Sequence, residues 1–549
     1  KLAIPAVGGT MNILTRGIDH KESVIFKQSV GSNGYLKSTI GFNSGTLKND
    51  WGYSLVLSKK TGDGWVDQTW TNGNFYYAKV QKKINNHNLS FTTFGAPQEH
   101  GQRSYKKSIA FYDKDYAANL GVDTTVLNGD HGLQYNQHWG TLNRYKVNFD
   151  ENNNPIDTVF AKNEIVNSKK NYYHKPQLSL NDLWAVNDKL VIANILYASL
   201  GNGGGTGVTP SIGENNFDEN NQIDFQSIYD LNSGNTIHPF LGDLSIDPNY
   251  SETKHKSSRF LRSSINNHQW FGLLSTYNYQ HNKKYTFAGG LDFRHYTGEH
   301  FQEVYDLLGG DYYVANDAVG ASNPDPVIRE DDKFNWHYNS IIKWAGLFQQ
   351  VEYSSGNWSG FVNLSFSTTG HKRIDYFKPK DLVLSDTTLV QALSYGDTLD
   401  YNGQSYTIDS RETRYAETPW KWIPGYTIKY GFNCNIDELN NVFANFGYLN
   451  KAPKFNNIFD YDNLPYTNIE NEVVSAIELG HSYNSSRFST NLNLYHTEWK
   501  NKPQSGSTVI DGETVKYNIN GINALHRGVE LDLVWKINQL FVLEFLSSR

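Results

Sequence analysis

The residues best suited to chemistry in this chain are aromatic and polar side chains crowded into a few segments. Tyr135, Trp139 and Tyr145 share a segment with Asn136, Gln137, Asn143 and Arg144, and Asp311, Tyr312 and Tyr313 form a second group. Rings give stacking faces, while amide, guanidinium and carboxylate groups give directional hydrogen bonds. Such a set can hold a ligand without transforming it. For any single residue the competing reading is ordinary loop packing.

Other candidate motifs are weaker. Gly201-Asn202-Gly203-Gly204-Gly205-Thr206-Gly207 lacks the Lys of a phosphate loop and does not match GxGxxG, so it reads as a flexible loop base. Asp218–Asp224 lacks the Gly and terminal Glu of an EF-hand and reads as a solvated loop. His131 and His138 share a segment, but there is no His-Glu-x-x-His pair and no Cys/His cluster. Glu330, Asp331 and Asp332 read as a solvated charge run. Cys434 is the one cysteine, so neither a disulfide framework nor a multi-cysteine metal site is available. No nucleophile–base arrangement stands out, so the reading is of a non-enzyme with no metal and no cofactor. A net charge of −7 also argues against a nucleic-acid surface.

The elements that carry these residues alternate with period two. Tyr285, Phe287, Gly289, Leu291 and Phe293 oppose Thr286, Ala288, Gly290, Asp292 and Arg294. Phe271, Leu273, Ser275, Tyr277 and Tyr279 oppose Gly272, Leu274, Thr276, Asn278 and Gln280. The same holds around Trp358–Ser367 and Phe488–Tyr495. In each, the apolar face carries no charge, and aromatics gather at the strand ends. Mean hydropathy is −0.59, and no apolar run approaches the ~18 residues of a membrane helix. Alternation alone leaves two readings open: a soluble sandwich, or a transmembrane barrel that faces lipid with its apolar side.

Connection lengths separate the two. Short turns fall near Leu47–Asn49, Asn85–Asn88, Asn187–Lys189, Asn282–Lys284, Ser355–Asn357, Asp437–Asn440, Ser485–Arg487 and Asn538. Long polar connections alternate with them: Ala96–Tyr173, Gly201–Asn267, Gly298–Ser340, His371–Lys421 and Asn450–Asn471. Short turns at one end and long loops at the other are the habit of outer-membrane barrels. From Glu22 onward the pattern gives about seventeen strands, an odd number that cannot close alone. The expectation is a barrel truncated at its C-terminus.

Several motifs resemble the TonB-dependent outer-membrane receptor family. Gly8-Gly9-Thr10-Met11-Asn12-Ile13 resembles the end of that family's plug domain, with Gly8, Gly9, Thr10 and Asn12 as the plug-end motif. Phe446–Pro453, Asn471–Gly480, Tyr517–Asn520 and Gly528–Leu531 resemble its barrel segments, in the family's order. The resemblance implies an all-β, antiparallel up-and-down transmembrane barrel, 22-stranded in the family. Residues 1–20 would close a plug domain and residues 21–549 would form an incomplete barrel. Most of the plug, its TonB box and the closing strand have no counterpart in this sequence.

The function so implied is TonB-dependent uptake of a scarce, bulky solute, of the siderophore, cobalamin, haem or oligosaccharide class. Partners would be outer-membrane lipid of a Gram-negative bacterium, the TonB–ExbB–ExbD complex and the solute, with a surface lipoprotein as a further candidate. The alternatives are a passive porin or surface-binding barrel, and, more remotely, a secreted carbohydrate-active enzyme with paired carboxylates.

Overall fold

In a computed structural model of the chain, nearly all of the long strands join one antiparallel sheet. The structure describes residues 18 and 21–548, apart from 104–106, 125–129, 152–153, 214–215, 239–241, 316–319, 322–324, 461–462, 468 and 511–512. The plug-end motif Gly8, Gly9, Thr10 and Asn12 lies outside the described residues.

The first strands are β1 (Glu22–Val30), β2 (Leu36–Ser44), β3 (Trp51–Gly62) and β4 (Thr71–Ile84). Then come β5 (His87–Gly95 with Gln98–Gly101) and β6 (Lys170–His174 with Gln177–Asn187). The middle of the wall is β7 (Leu190–Thr209), β8 (Phe260–Gln280), β9 (Tyr285–Asp306), β10 (Lys333–Ser355) and β11 (Trp358–Asp375). It ends with β12 (Ala416–Glu417 with Lys421–Asn435), β13 (Asn440–Lys451), β14 (Glu472–Asn484), β15 (Phe488–Ile510), β16 (Glu513–Lys536) and β17 (Val542–Ser548). Each strand pairs antiparallel with the next in sequence, from β1 to β17. This is the up-and-down meander that the alternation predicts.

The short turns are held by one recurring device. Asn187, Asn282, Asp437 and Asn538 each accept from the backbone N–H groups two and three residues on, at 2.7–3.0 Å. A short carbonyl-bearing side chain can replace a backbone acceptor in this way, which explains why Asn and Asp populate these turns.

The two faces of the wall differ in kind. Lys79, Thr92, Ser199, Asp292, Asn363 and Thr427 are buried, and all point to one side. That side is the crowded, concave one, and it defines the lumen. Leu196, Leu273, Phe293, Leu347, Phe366, Ile428 and Leu479 point the other way and lie open on the outer surface. Apolar side chains in such a row are stable only against another apolar phase. Among the described residues no helix is long and apolar enough to cross a membrane.

Structure and expectation differ at the strand ends. β8 has 21 residues, β9 has 22 and β10 has 23, against the roughly 9–11 that a membrane crossing needs. The wall therefore continues into segments expected to be loops, including Gly298–Asp306 and Lys333–Ser340. The glycine run 201–207 is likewise strand rather than flexible loop base. It pairs with residues 171–174 on one side and with 262–265 and His268 on the other. Close approach is the reason: a Cβ on Gly203 would stand 2.5 Å from the Tyr172 carbonyl oxygen.

Candidate functional site

In the upper half of the lumen, side chains from neighbouring strands converge because alternation aims them the same way. His268 and Trp270 on β8 stand beside Tyr296 and His300 on β9, then Tyr338 on β10 and Arg373 on β11. His268 Nδ1 and the Tyr296 hydroxyl are 2.7 Å apart, and His300 Nδ1 lies 2.7 Å from Asn266 Oδ1. Arg373 lies 4.4 Å over the Tyr338 ring and donates to Asp375 at 3.1 Å and to the Asp460 carbonyl at 2.8 Å. This last bond ties the β13–β14 connection into the lumen, where Ile458 and Phe459 pack on Ile423. His371, 2% exposed, sits beneath Phe455 of the same connection. Lower down, Arg294 pairs with Asp292 and lies 4.6 Å from the Trp344 ring.

Beyond the strand ends, the long connections are folded rather than loose. One core joins Leu142 and Val166 of the hairpin Trp139–Phe149/Pro155–Asn167 to Phe225, Ile228 and Tyr229 of the helix Phe225–Asn232, and to Leu261 and Leu308. Arg144 clamps this assembly, donating to Glu164 at 2.6 Å and to Asp306 of β9. Asp224 caps the helix, its side chain accepting from Ser227 N at 2.9 Å. Further cores surround Phe260 and Val304, and Leu382 and Leu393.

The sequence-derived ligand candidates lie within this cap, in two places. Tyr135 is buried, stacks on His131 at 4.6 Å and donates its hydroxyl to the Asn221 carbonyl. Burial pushes its hydroxyl pKa up, and the Asp218 charge adds to this. Trp139 opens the hairpin. Tyr145 packs near Tyr229 at 6.2 Å, and its pKa is pushed up to about 12 by burial and by the neighbouring Asp230. In the second group Asp311 is exposed and accepts from His255 N at 2.8 Å. Tyr312 is buried near Tyr250, while Tyr313 packs on Phe260 at 4.7 Å.

His131 and His138 do not converge. His138 is buried near Ser168, its pKa pushed down to about 4 by burial and by the Lys169 and Lys107 charges. Among the described residues no group of three His, Cys, Asp or Glu side chains could hold a metal ion. Asp218 accepts from Asn220 N and Gln222 N within its own turn.

Reading from composition missed the lumenal group. Its signal is period two on the charged face: His268 with Trp270, Tyr296 with His300, and His371 with Arg373.

A family model described as TonB dependent receptor-like, beta-barrel matches residues 187–547. The closed form of the ferric-catecholate import receptor Fiu from E. coli K12 aligns with a TM-score of 0.58 at 11% identity, covering 98% of this chain and 67% of that one. The unliganded ferric citrate transporter FecA gives 0.55 at 11%, covering 99% and 62%. The copper transporter OprC gives 0.54 at 10%, covering 97% and 62%. At these identities the likeness is one of fold, and the chain spans about two thirds of those structures' length or less. No curated protein gives a match.

Proposed function

The chain belongs to the TonB dependent receptor-like β-barrel family of the outer membrane, and from that premise we propose that it serves active uptake of a bulky solute. The solute is bound by the folded cap and the upper lumen and is drawn inward through energy supplied by the TonB–ExbB–ExbD complex. Residues 1–20 act as the end of a plug, and residues 21–549 as the barrel wall with its cap. Tyr145, Asp311 and the lumenal His268, Tyr296, His300 and Arg373 are the contacts proposed for the solute.

One observation carries this reading: ordered connections with their own apolar cores crown a lumen lined by paired His, Tyr and Arg side chains, and one of them reaches into it through the bond from Arg373 to the Asp460 carbonyl. A passive pore gains nothing from such a crown, whereas a receptor needs preformed contacts to bind a dilute solute. The test is accumulation of a panel of radiolabelled ferric citrate, a ferric catecholate, cobalamin, haem and maltohexaose in cells making the full-length protein. One member should accumulate only when TonB is present. Equal accumulation without TonB sinks active uptake and favours a passive porin.

A further inference from the structure

A second concavity lies away from the lumen. It has a volume of about 480 Å³ and forms where the β9–β10 and β11–β12 connections meet. Its place on the molecule follows from alternation: His337 shares the outer face of β10 with Leu347, so a cavity built on His337 opens on the flank of the barrel. That flank is the polar collar above the apolar rows.

The cavity has a fixed aromatic wall. Tyr376 stacks on His337 at 4.2 Å and 23°, and Tyr415 meets Tyr376 edge-on at 4.8 Å. Asn339 Nδ2 donates to the Tyr376 hydroxyl at 2.9 Å and holds that ring in place. The two connections are joined by backbone bonds, Ala321 N to Phe377 O and Tyr395 N to Ala321 O, each 2.8 Å. Gly320 permits this contact, since a Cβ there would stand 2.8 Å from Phe377.

The rim supplies charge. Arg329 is exposed, and its guanidinium has no hydrogen-bond or ion-pair partner among the described residues. Asp332 stands beside it, accepting from Arg329 N at 2.7 Å. The neighbouring Lys333 is already engaged with Glu299 at 3.1 Å, so among the described residues Arg329 is the free cation of the rim.

The geometry points to a binding site for an acidic saccharide, a sugar bearing a carboxylate or a phosphate. The exposed Tyr415 ring, braced edge-on by Tyr376, offers a face for a pyranose, and Arg329 a fork for the anion. Asp332 accepts from ring hydroxyls and disfavours a bare anion, which has no donor to offer it. The volume falls within the range of roughly 300–1,000 Å³ common to small-molecule sites. A polar lining of this kind excludes an acyl chain. The position suits either a glycolipid head group in the outer leaflet or a free acidic glycan.

The test uses the full-length protein in detergent micelles, titrated with D-glucuronate, glucose 1-phosphate and glucose and read by saturation-transfer NMR. Both anions should bind more tightly than glucose. Arg329→Gln should weaken the anions by about tenfold with glucose little changed, the loss expected of a charge-assisted pair. Tyr376→Ala should abolish all three signals, with the heat-modifiable gel shift of a folded barrel as the control. A second arm measures capture by phosphatidylcholine vesicles with and without lipopolysaccharide. Capture that depends on Arg329 assigns the lipid-borne source, and capture only of the soluble sugars assigns the free one. Absence of saturable anion binding, or binding indifferent to Arg329→Gln, overturns the proposal. Because the site lies on the flank, its failure leaves TonB-dependent uptake untouched.

Discussion

The wall and the cap of this barrel bury opposite kinds of residue. In the wall, Leu347 and Phe366 are 57% and 54% exposed, while Asp292 and Asn363 are 2% and 4% exposed on the lumen side. In the cap, Leu142, Leu308, Leu382 and Leu393 are wholly buried. One chain therefore folds against two solvents. Hydrocarbon completes the wall from outside, whereas the cap makes cores of the kind a water-soluble domain has. Removing the bilayer should unsettle the first and spare the second.

The sharpest way to break that comparison is Phe225→Ala in the first cap core, where Phe225 is 1% exposed. The lost burial and residual cavity cost about 3–5 kcal/mol. Hydrogen exchange should quicken across the hairpin 139–167 and the helix, with the gel mobility of the folded barrel unchanged. Loss of barrel mobility as well would mean that the two regions fold as one. Next in size is Leu347→Arg on the outer face, which costs about 2–4 kcal/mol near the bilayer midplane. The yield of folded barrel in the outer membrane should fall, whereas the same arginine in place of the lumenal Gln350 should be tolerated. Equal loss at both positions would contradict the assignment of faces.

The smallest expected effect is a pH dependence of the cap. Folding depresses the His138 pKa to about 4, so between roughly pH 6.5 and 4 the unfolded segment binds the proton and the folded one does not. Stability of the cap core is full above that window and falls as the pH drops through it, by about 2 kcal/mol at pH 5. Protection factors in the hairpin 139–167, exchange rates corrected for the intrinsic pH dependence, should fall between pH 7 and 5, and His138→Gln should flatten the profile.

The wall was legible where lipid constrains it. From Phe271 to Tyr279 every second residue must suit hydrocarbon, and the alternation shows it. Above that level the outer face meets water, and Asn202, Asn267, Glu299 and Glu303 continue the same strands without an apolar signal. Strands therefore appeared to end about where the membrane does. The cap cores were not legible because their members, such as Leu142, Ile223, Leu261 and Leu308, come from four separate stretches of chain. No local periodicity links them. For the same reason composition could not say that Tyr135 and Tyr312 point inward to packing while Asp311 points out.

The unequal connections at the two ends of the strands also divide the work of change. Each Asn- or Asp-clamped turn fixes one hairpin's register by itself, so the wall can be assembled from neighbours in sequence. On the opposite side, doubling a connection adds only about 0.6 kcal/mol of closure entropy. A mutation in the clamped turns touches every rung of a ladder, whereas an insertion in the cap touches only the fold of that connection. The molecule is thus conservative at one rim and permissive at the other, free to reshape its cap without relearning how to stand in the membrane.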